Sequence, residues 1–159
     1  MDGGMHERFM RRAIELALDG IDRNDGGPFG CVIVKDGHIV GEGCNRVTST
    51  NDPTAHAEVV AIREACRNLN SFQLDGCAVY TSCEPCPMCL GAIYWARPSE
   101  VYFAGTREDA AAAGFDDRLI YEEIAMPNDH RRRPMKSLLR DEAVKAFARW
   151  VEKPDKIEY

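Results

Sequence analysis

The sequence predicts an α/β fold of three layers, α/β/α, with helices on both faces of a mixed central sheet. Three observations point there. Asp36-Gly37 sits between two short apolar runs, CVIVK and HIVGEG, where a two-residue hairpin turn belongs. From residue 38 to residue 105 strand and helix patterns alternate, which calls for right-handed crossovers between parallel strands. The hairpin then supplies the one antiparallel member of the sheet.

Taken in order, Phe9, Ala13, Leu16 and Ala17 share a face of a first helix, and Gly20 stands where a C-cap would. Strands over 31–35 and 38–43 follow the GGPFG loop. Asp52 and Pro53 have the chemistry of an N-cap and a first helical residue, so a second helix is expected to run from there to about Leu69, burying Val59, Ile62, Cys66 and Leu69. CAVYTS, at 77–82, is a third strand, and a third helix runs from Pro85 to Arg97 before Pro98 stops it. EVYFAG, at 100–105, is a fourth strand. Thr106 and Asp109 form a capping-box pair for a short alanine-rich helix ending at Gly114, and DEAVKAFARWVEK makes a last amphipathic helix. No periodicity assigns the residues between those two.

Composition bounds the function. A chain of 159 residues, 45% hydrophobic, is one domain with a proper core. Its net charge of -6 gives no field that would draw the whole surface onto a nucleic-acid backbone, so a small molecule is the expected partner and no nucleic acid is. No basic-then-apolar leader opens the chain and no apolar run nears the roughly 20 residues of a membrane span, so no membrane partner is expected. Seven cysteines, an odd number, suit reduced thiols in the cytoplasm better than a disulfide framework.

The densest chemistry lies in TSCEPCPMCLGA, residues 81–92. Cys86 and Cys89 are i, i+3 on the first helical turn, where backbone N–H groups and the helix dipole favour thiolates. A [4Fe-4S] cluster is excluded, because Ile93 stands where the ferredoxin run would continue. In DPTAHAEVVA, His56 and Glu58 open the preceding helix. Residues two apart do not share a helix face, so both can serve one site only off the helix end. His56, Cys86 and Cys89 then offer zinc one imidazole and two thiolates, one Zn2+ per chain, with the fourth tetrahedral position left for water and Glu58 beside it as general base. H-x-E followed by P-C-x-x-C is the pattern of the zinc deaminases. Cys83 could instead close a Cys3His structural site, a non-enzymatic zinc module that leaves Glu58 without a task. Cys31, Cys44, Cys66 and Cys77 fall on strands or a helix face and are expected to be small buried hydrophobes.

TAHAEVVAI and TSCEPCPMCLGAIYWARP resemble the cytidine-deaminase superfamily, and PFGCVIVKDG, TNDPTAHAE, YWARP, AGFDD and the terminal Tyr159 are similar to its bacterial guanine deaminases. The resemblance runs nearly end to end. It implies a cytidine-deaminase-like core with a mixed five-stranded sheet and hydrolysis of guanine to xanthine and ammonia. It implies further that Glu58 passes the water's proton to the purine, that Asp117 handles the substrate's protons and amino group, and that Tyr159 covers the pocket. The substrate-binding set is then Asn45, Phe29, Ala57, Trp95 and Tyr159, and the assembly a homodimer in which residues from about 137 to 159 dock or exchange across the interface.

The residues themselves leave alternatives open. Asn45 can contact ligand or close a strand-end turn, and Phe29 and Trp95 can stack on a ring or fill the core. Asp116 competes with Asp117 for the inward position. The zinc motif alone also fits a tRNA adenosine deaminase or another nucleobase or nucleoside deaminase, for which His130, Arg131, Arg132, Arg133 and Lys136 would be the basic footprint.

Overall fold

A computed structural model describes residues 3–159. The chain divides into two compact units, one ending at Asp117 and the other Arg118–Tyr159. In the first, the elements are α1 (Gly3–Asp22), β1 (Gly30–Lys35), β2 (His38–Cys44), α2 (Val47–Thr50), α3 (Ala57–Leu69), β3 (Cys77–Cys83), α4 (Pro87–Ala96), β4 (Glu100–Gly105) and α5 (Arg107–Ala112).

The strands form one sheet in the order β2-β1-β3-β4. β1 is antiparallel to both β2 and β3, while β3 and β4 are parallel, so the hairpin supplies the single reversed strand. Asp36 and Gly37 both take positive φ, 50° and 76°, as the twist of a tight hairpin requires. Both crossovers, β2-α3-β3 and β3-α4-β4, advance across the sheet in one direction. Right-handed connections therefore put α3 and α4 on one face, leaving the other to α1.

The unbroken apolar run of β1 reflects that double cover. Val32 and Val34 pack with Phe9, Ala13 and Leu16 of α1, and Cys31 and Ile33 pack with Ala57, Ala61 and Ala65 of α3. The α3 layer lies close because two β2 positions beneath it, Gly41 and Gly43, carry no side chain. A Cβ at Gly41 would lie 2.6 Å from the Ala61 carbonyl oxygen, and one at Gly43 would overlap the Ala57 carbonyl and lie 2.7 Å from Ala61 N. Two absent methyls thus set the height of α3 above the sheet.

Several expectations change. Among the described residues the sheet has four strands, not five. After β4 the capping box of Thr106 and Asp109 starts a helix at once, and the later stretch MPNDHRRRPMKS holds prolines and charges where a fifth strand would need alternating apolar residues. The second predicted helix begins at Ala57 rather than at Pro53. Asp52 does accept from a backbone N–H two residues on, but its acceptance from Thr54 N (2.8 Å) and Thr54 Oγ1 (2.7 Å) makes a local turn. The buried stripe of α3 is Ala57, Glu58, Ala61 and Ala65, with Ile62, Cys66 and Leu69 flanking it, because the glycines of β2 admit the smallest side chains there. The third predicted helix starts two residues later than Pro85, with Cys86 as its N-cap and Pro87 in its first turn. Helix α2 carries no periodic pattern and was not anticipated.

In the second unit, α6 (Arg118–Ile124) and α7 (Arg140–Glu152) fill much of the stretch beyond Asp117. Arg131 closes the end of α6: Nε donates to the Glu123 carbonyl at 2.9 Å and an Nη to the Ile124 carbonyl at 3.1 Å. α7 has Asp141 and Glu142 in its first turn and Arg149 in its last, matching its dipole.

Candidate metal centre and active site

The carboxyl ends of β2, β3 and β4 and the start of β1 lie at one edge of the sheet, as the pairings Gly30 with Cys44 and Cys83 with Gly105 show. In open α/β sheets ligands gather at that edge. Two helix starts meet there. His56 is the N-cap residue of α3 and Cys86 that of α4, both with extended backbone, and neither side chain caps its own helix. Both are therefore available to something else.

They turn toward one another. His56 Nδ1 lies 3.4 Å from Cys89 Sγ and 3.5 Å from Cys86 Sγ, and the three donor atoms all fall within 4.8 Å of one another. Tetrahedral zinc with ordinary Zn–N and Zn–S lengths separates its nitrogen and sulfur ligands by about 3.6 Å. The trio fits zinc in atom type and in spacing. The hydrogen bond from Cys89 and then the His56 ring hold the Cys86 thiol down at about 4, and Cys86 raises His56 in return. Cys89 is pushed upward by Cys86 and by burial.

Glu58, in the first turn of α3, is buried against this trio. Its Oε2 lies 3.3 Å from Cys89 Sγ and its Oε1 accepts from Thr81 Oγ1 at 3.1 Å. Burial pushes its carboxyl above the ordinary range, a direction that suits a group alternating between base and acid.

Cys83 stands apart from the trio. Its Sγ is 3.7 Å from the Thr106 carbonyl, and burial pushes its thiol up to about 11. Among the described residues the potential metal cluster is His56, Cys86 and Cys89, without Cys83. Nothing in that placement favours the closed Cys3His site.

Around the trio the other expected residues divide. Gly114, at φ 97°, ends α5 in a Schellman turn, with Phe115 N donating to the Ala110 carbonyl at 2.9 Å and Gly114 N to that of Ala111 at 3.0 Å. The chain then presents Asp116 exposed and Asp117 half-buried. Burial raises the Asp117 carboxyl, with the charge of Cys86 among the further causes. Phe29 meets Phe115 edge to face, centroids 5.0 Å apart, and also packs on the core, which joins the GGPFG loop to the aspartate segment.

Asn45 is buried, and its Oδ1 accepts from Gly27 N at 3.2 Å and Val47 N at 3.1 Å. Its acceptor side is engaged by the protein's own backbone, leaving the amide nitrogen as its free chemistry. Ala57 is fully buried at the start of α3. Trp95 is 64% exposed near the far end of α4, about 9 Å along the helix from Cys89 by helix rise, and is not brought to the trio. Tyr159 belongs to the second unit and is 70% exposed. Of the basic run, Arg131 and Arg132 are tied to Glu123 and its neighbour. Sequence reasoning missed Thr81 and Glu84, whose carboxylate accepts from Arg107 N at 3.0 Å and so anchors α5 to the cysteine loop. Their signal was position alone: both lie inside the TSCEPC stretch.

Comparison with known proteins agrees with this geometry. The cytidine and deoxycytidylate deaminase zinc-binding region matches residues 4–105. Guanine deaminase of Bacillus subtilis (strain 168) is 56% identical over 154 residues, 97% of this chain and 99% of its own. An X-ray structure of guanine deaminase from Bacillus subtilis superimposes with a TM-score of 0.95 at 54% identity, covering 100% of this chain and 99% of that one. The tRNA-specific adenosine deaminase of Aquifex aeolicus (strain VF5) is 42% identical over 98 residues, 62% of this chain and 64% of its own. With its imidazole, two thiolates and buried carboxylate placed as that chemistry needs, the chain belongs to the cytidine and deoxycytidylate deaminase zinc-binding family.

Proposed function

We propose that this chain hydrolyses guanine to xanthine and ammonia. The observation that carries it is the buried Glu58 beside the His56, Cys86 and Cys89 trio, in a chain similar over its whole length to a guanine deaminase. His56, Cys86 and Cys89 would hold one zinc per chain, which supplies acidity to a water molecule at neutral pH.

The chain's own groups do the rest. Glu58 takes one proton of the water that attacks C2 and passes it to ring N3, then takes the second from the new C2 hydroxyl and gives it to the departing 2-amino group. Water is consumed, the C2–N bond breaks, and oxygen replaces nitrogen. Asp117 receives and returns protons at the amino group, its raised carboxyl suiting that task. Asn45 donates to a purine acceptor through its amide nitrogen. Ala57 and Phe29 shape the wall, and Trp95 has the weakest support in the binding set.

The tail ending at Tyr159 closes the pocket, and the single deaminase domain works as a homodimer with residues from about 137 onward exchanged. Support comes from α7, whose Phe147, Trp150 and Val151 are apolar and not buried. Free thiols at all seven cysteines suit the cytoplasm. A tRNA substrate is disfavoured, because Arg131 and Arg132 are engaged within their own segment and a tail over the zinc would exclude a polynucleotide.

The test is ammonia release by zinc-loaded protein from guanine, guanosine, adenine, cytosine, cytidine and a tRNA bearing a target adenosine. Release from guanine with xanthine as product is expected. Turnover of tRNA alone would overturn the assignment.

A further inference from the structure

Three polar side chains are buried among the described residues: Asn45, Glu58 and Thr81. Thr81 is the deepest, 1% exposed, on β3 between Cys31 of β1 and Phe103 of β4. On Val79's side of the sheet, a β-branched apolar residue would satisfy the packing as well. The hydroxyl has two acceptors in reach, Glu58 Oε1 at 3.1 Å and the Cys83 carbonyl at 3.0 Å, and one hydrogen to give.

We propose that Thr81 is the positioning residue of the catalytic carboxylate, holding Glu58 by Oε1 so that Oε2 is the oxygen that takes and returns the proton. The last torsion of a glutamate is soft, and a carboxylate with no fixed partner samples a broad range. Thr81 is stiff at χ1 and sits on a central strand, so a bond from it fixes the plane of the carboxylate. The opposite oxygen, Oε2, faces Cys89 Sγ at 3.3 Å and therefore the metal side. The two oxygens thus acquire different duties from their surroundings, one anchored to the sheet and one free for transfer.

The inference rests on Glu58 acting as the base of the proposed deamination, and its test separates the two. Full-length Thr81→Val and Thr81→Ser are loaded with zinc and assayed on whichever ring the unaltered protein deaminates best. Thr81→Val is expected to lower kcat by about 10- to 100-fold, the scale of a misplaced catalytic group, with KM and zinc per chain unchanged. Thr81→Ser, which restores the hydroxyl, is expected to recover most of the loss. A wild-type kcat in Thr81→Val, or a loss of zinc that tracks the loss of rate, would overturn the proposal. The contact itself is read without turnover, from unfolding midpoints of metal-free Thr81→Val, Glu58→Ala and the double variant. Non-additive shifts are expected, and additive ones would overturn it even if no ring is deaminated.

Discussion

Every buried residue among those described lies between Phe9 and Ala96, and none from Arg118 to Tyr159 is buried, although α7 carries Val144, Phe147, Trp150 and Val151. The first region buries a core on both faces of the sheet and brings His56, Glu58, Cys86 and Cys89 together at the starts of α3 and α4. The second displays its apolar side chains. Catalytic atoms must be held to within a fraction of an ångström, which needs packed support on every side. The apolar side chains of α7 have no such support within their own unit.

Glu58→Gln strikes the packed region at its centre. It is expected to retain zinc, measured as metal per chain, and to lose kcat by about 100- to 10,000-fold, the range of general acid–base catalysis. Substantial residual turnover would take Glu58 out of its role and leave the packed region a scaffold only.

Gly43→Ala tests the support rather than the chemistry. The new methyl would overlap the Ala57 carbonyl, and overpacking of this kind costs about 1–3 kcal/mol. Thermal unfolding should move to lower temperature and zinc titration should weaken, since the helix bearing His56 must rise. Unchanged values in both would mean that α3 is free to ride higher.

Removal of Lys156–Tyr159 probes the open region. The melting temperature should hold while kcat/KM for guanine falls by about tenfold, as expected for a lost lid. Equal kinetics with and without the tail would reduce the second region to a surface with no part in turnover.

Cys83→Ser sharpens the contrast with the smallest change of all. Zinc content and rate should both remain, because Cys83 lies outside the trio. Burial pushes its thiol to about 11, so at neutral pH it stays protonated and should react slowly with iodoacetamide in the metal-loaded protein. Loss of metal in the serine variant would restore the closed four-ligand site.

Much of this was legible in the residues. The strands, the hairpin turn at Asp36-Gly37 and the capping box at Thr106 were readable because each depends on local chemistry. The grouping of His56, Cys86 and Cys89 was readable because metal spacing leaves a mark on sequence. What escaped depends on partners distant in the chain. Asp52 and Pro53 have the residue types of a helix start, but tertiary placement of His56 at the N-cap moved the start to Ala57. Periodicity points to larger side chains for the α3 stripe, because the glycines of β2 speak only through the helix that covers them. Asn45 carries both donor and acceptor on paper, yet Gly27 and Val47 take its oxygen in the fold. Thr81 reads as an ordinary strand residue until the carboxylate 23 positions earlier is seen above it.

Gly41 and Gly43 bear on how such an enzyme should be altered. Strand glycines are the positions a stabilisation campaign replaces first, since a β-branched residue there ordinarily restricts the unfolded chain and fills the sheet. Here the same substitutions would lift the helix that has His56 at its N-cap and Glu58 in its first turn. A library confined to residues that can touch a purine would never sample them, and one that improves every strand by rule would lose the enzyme without changing a single polar group.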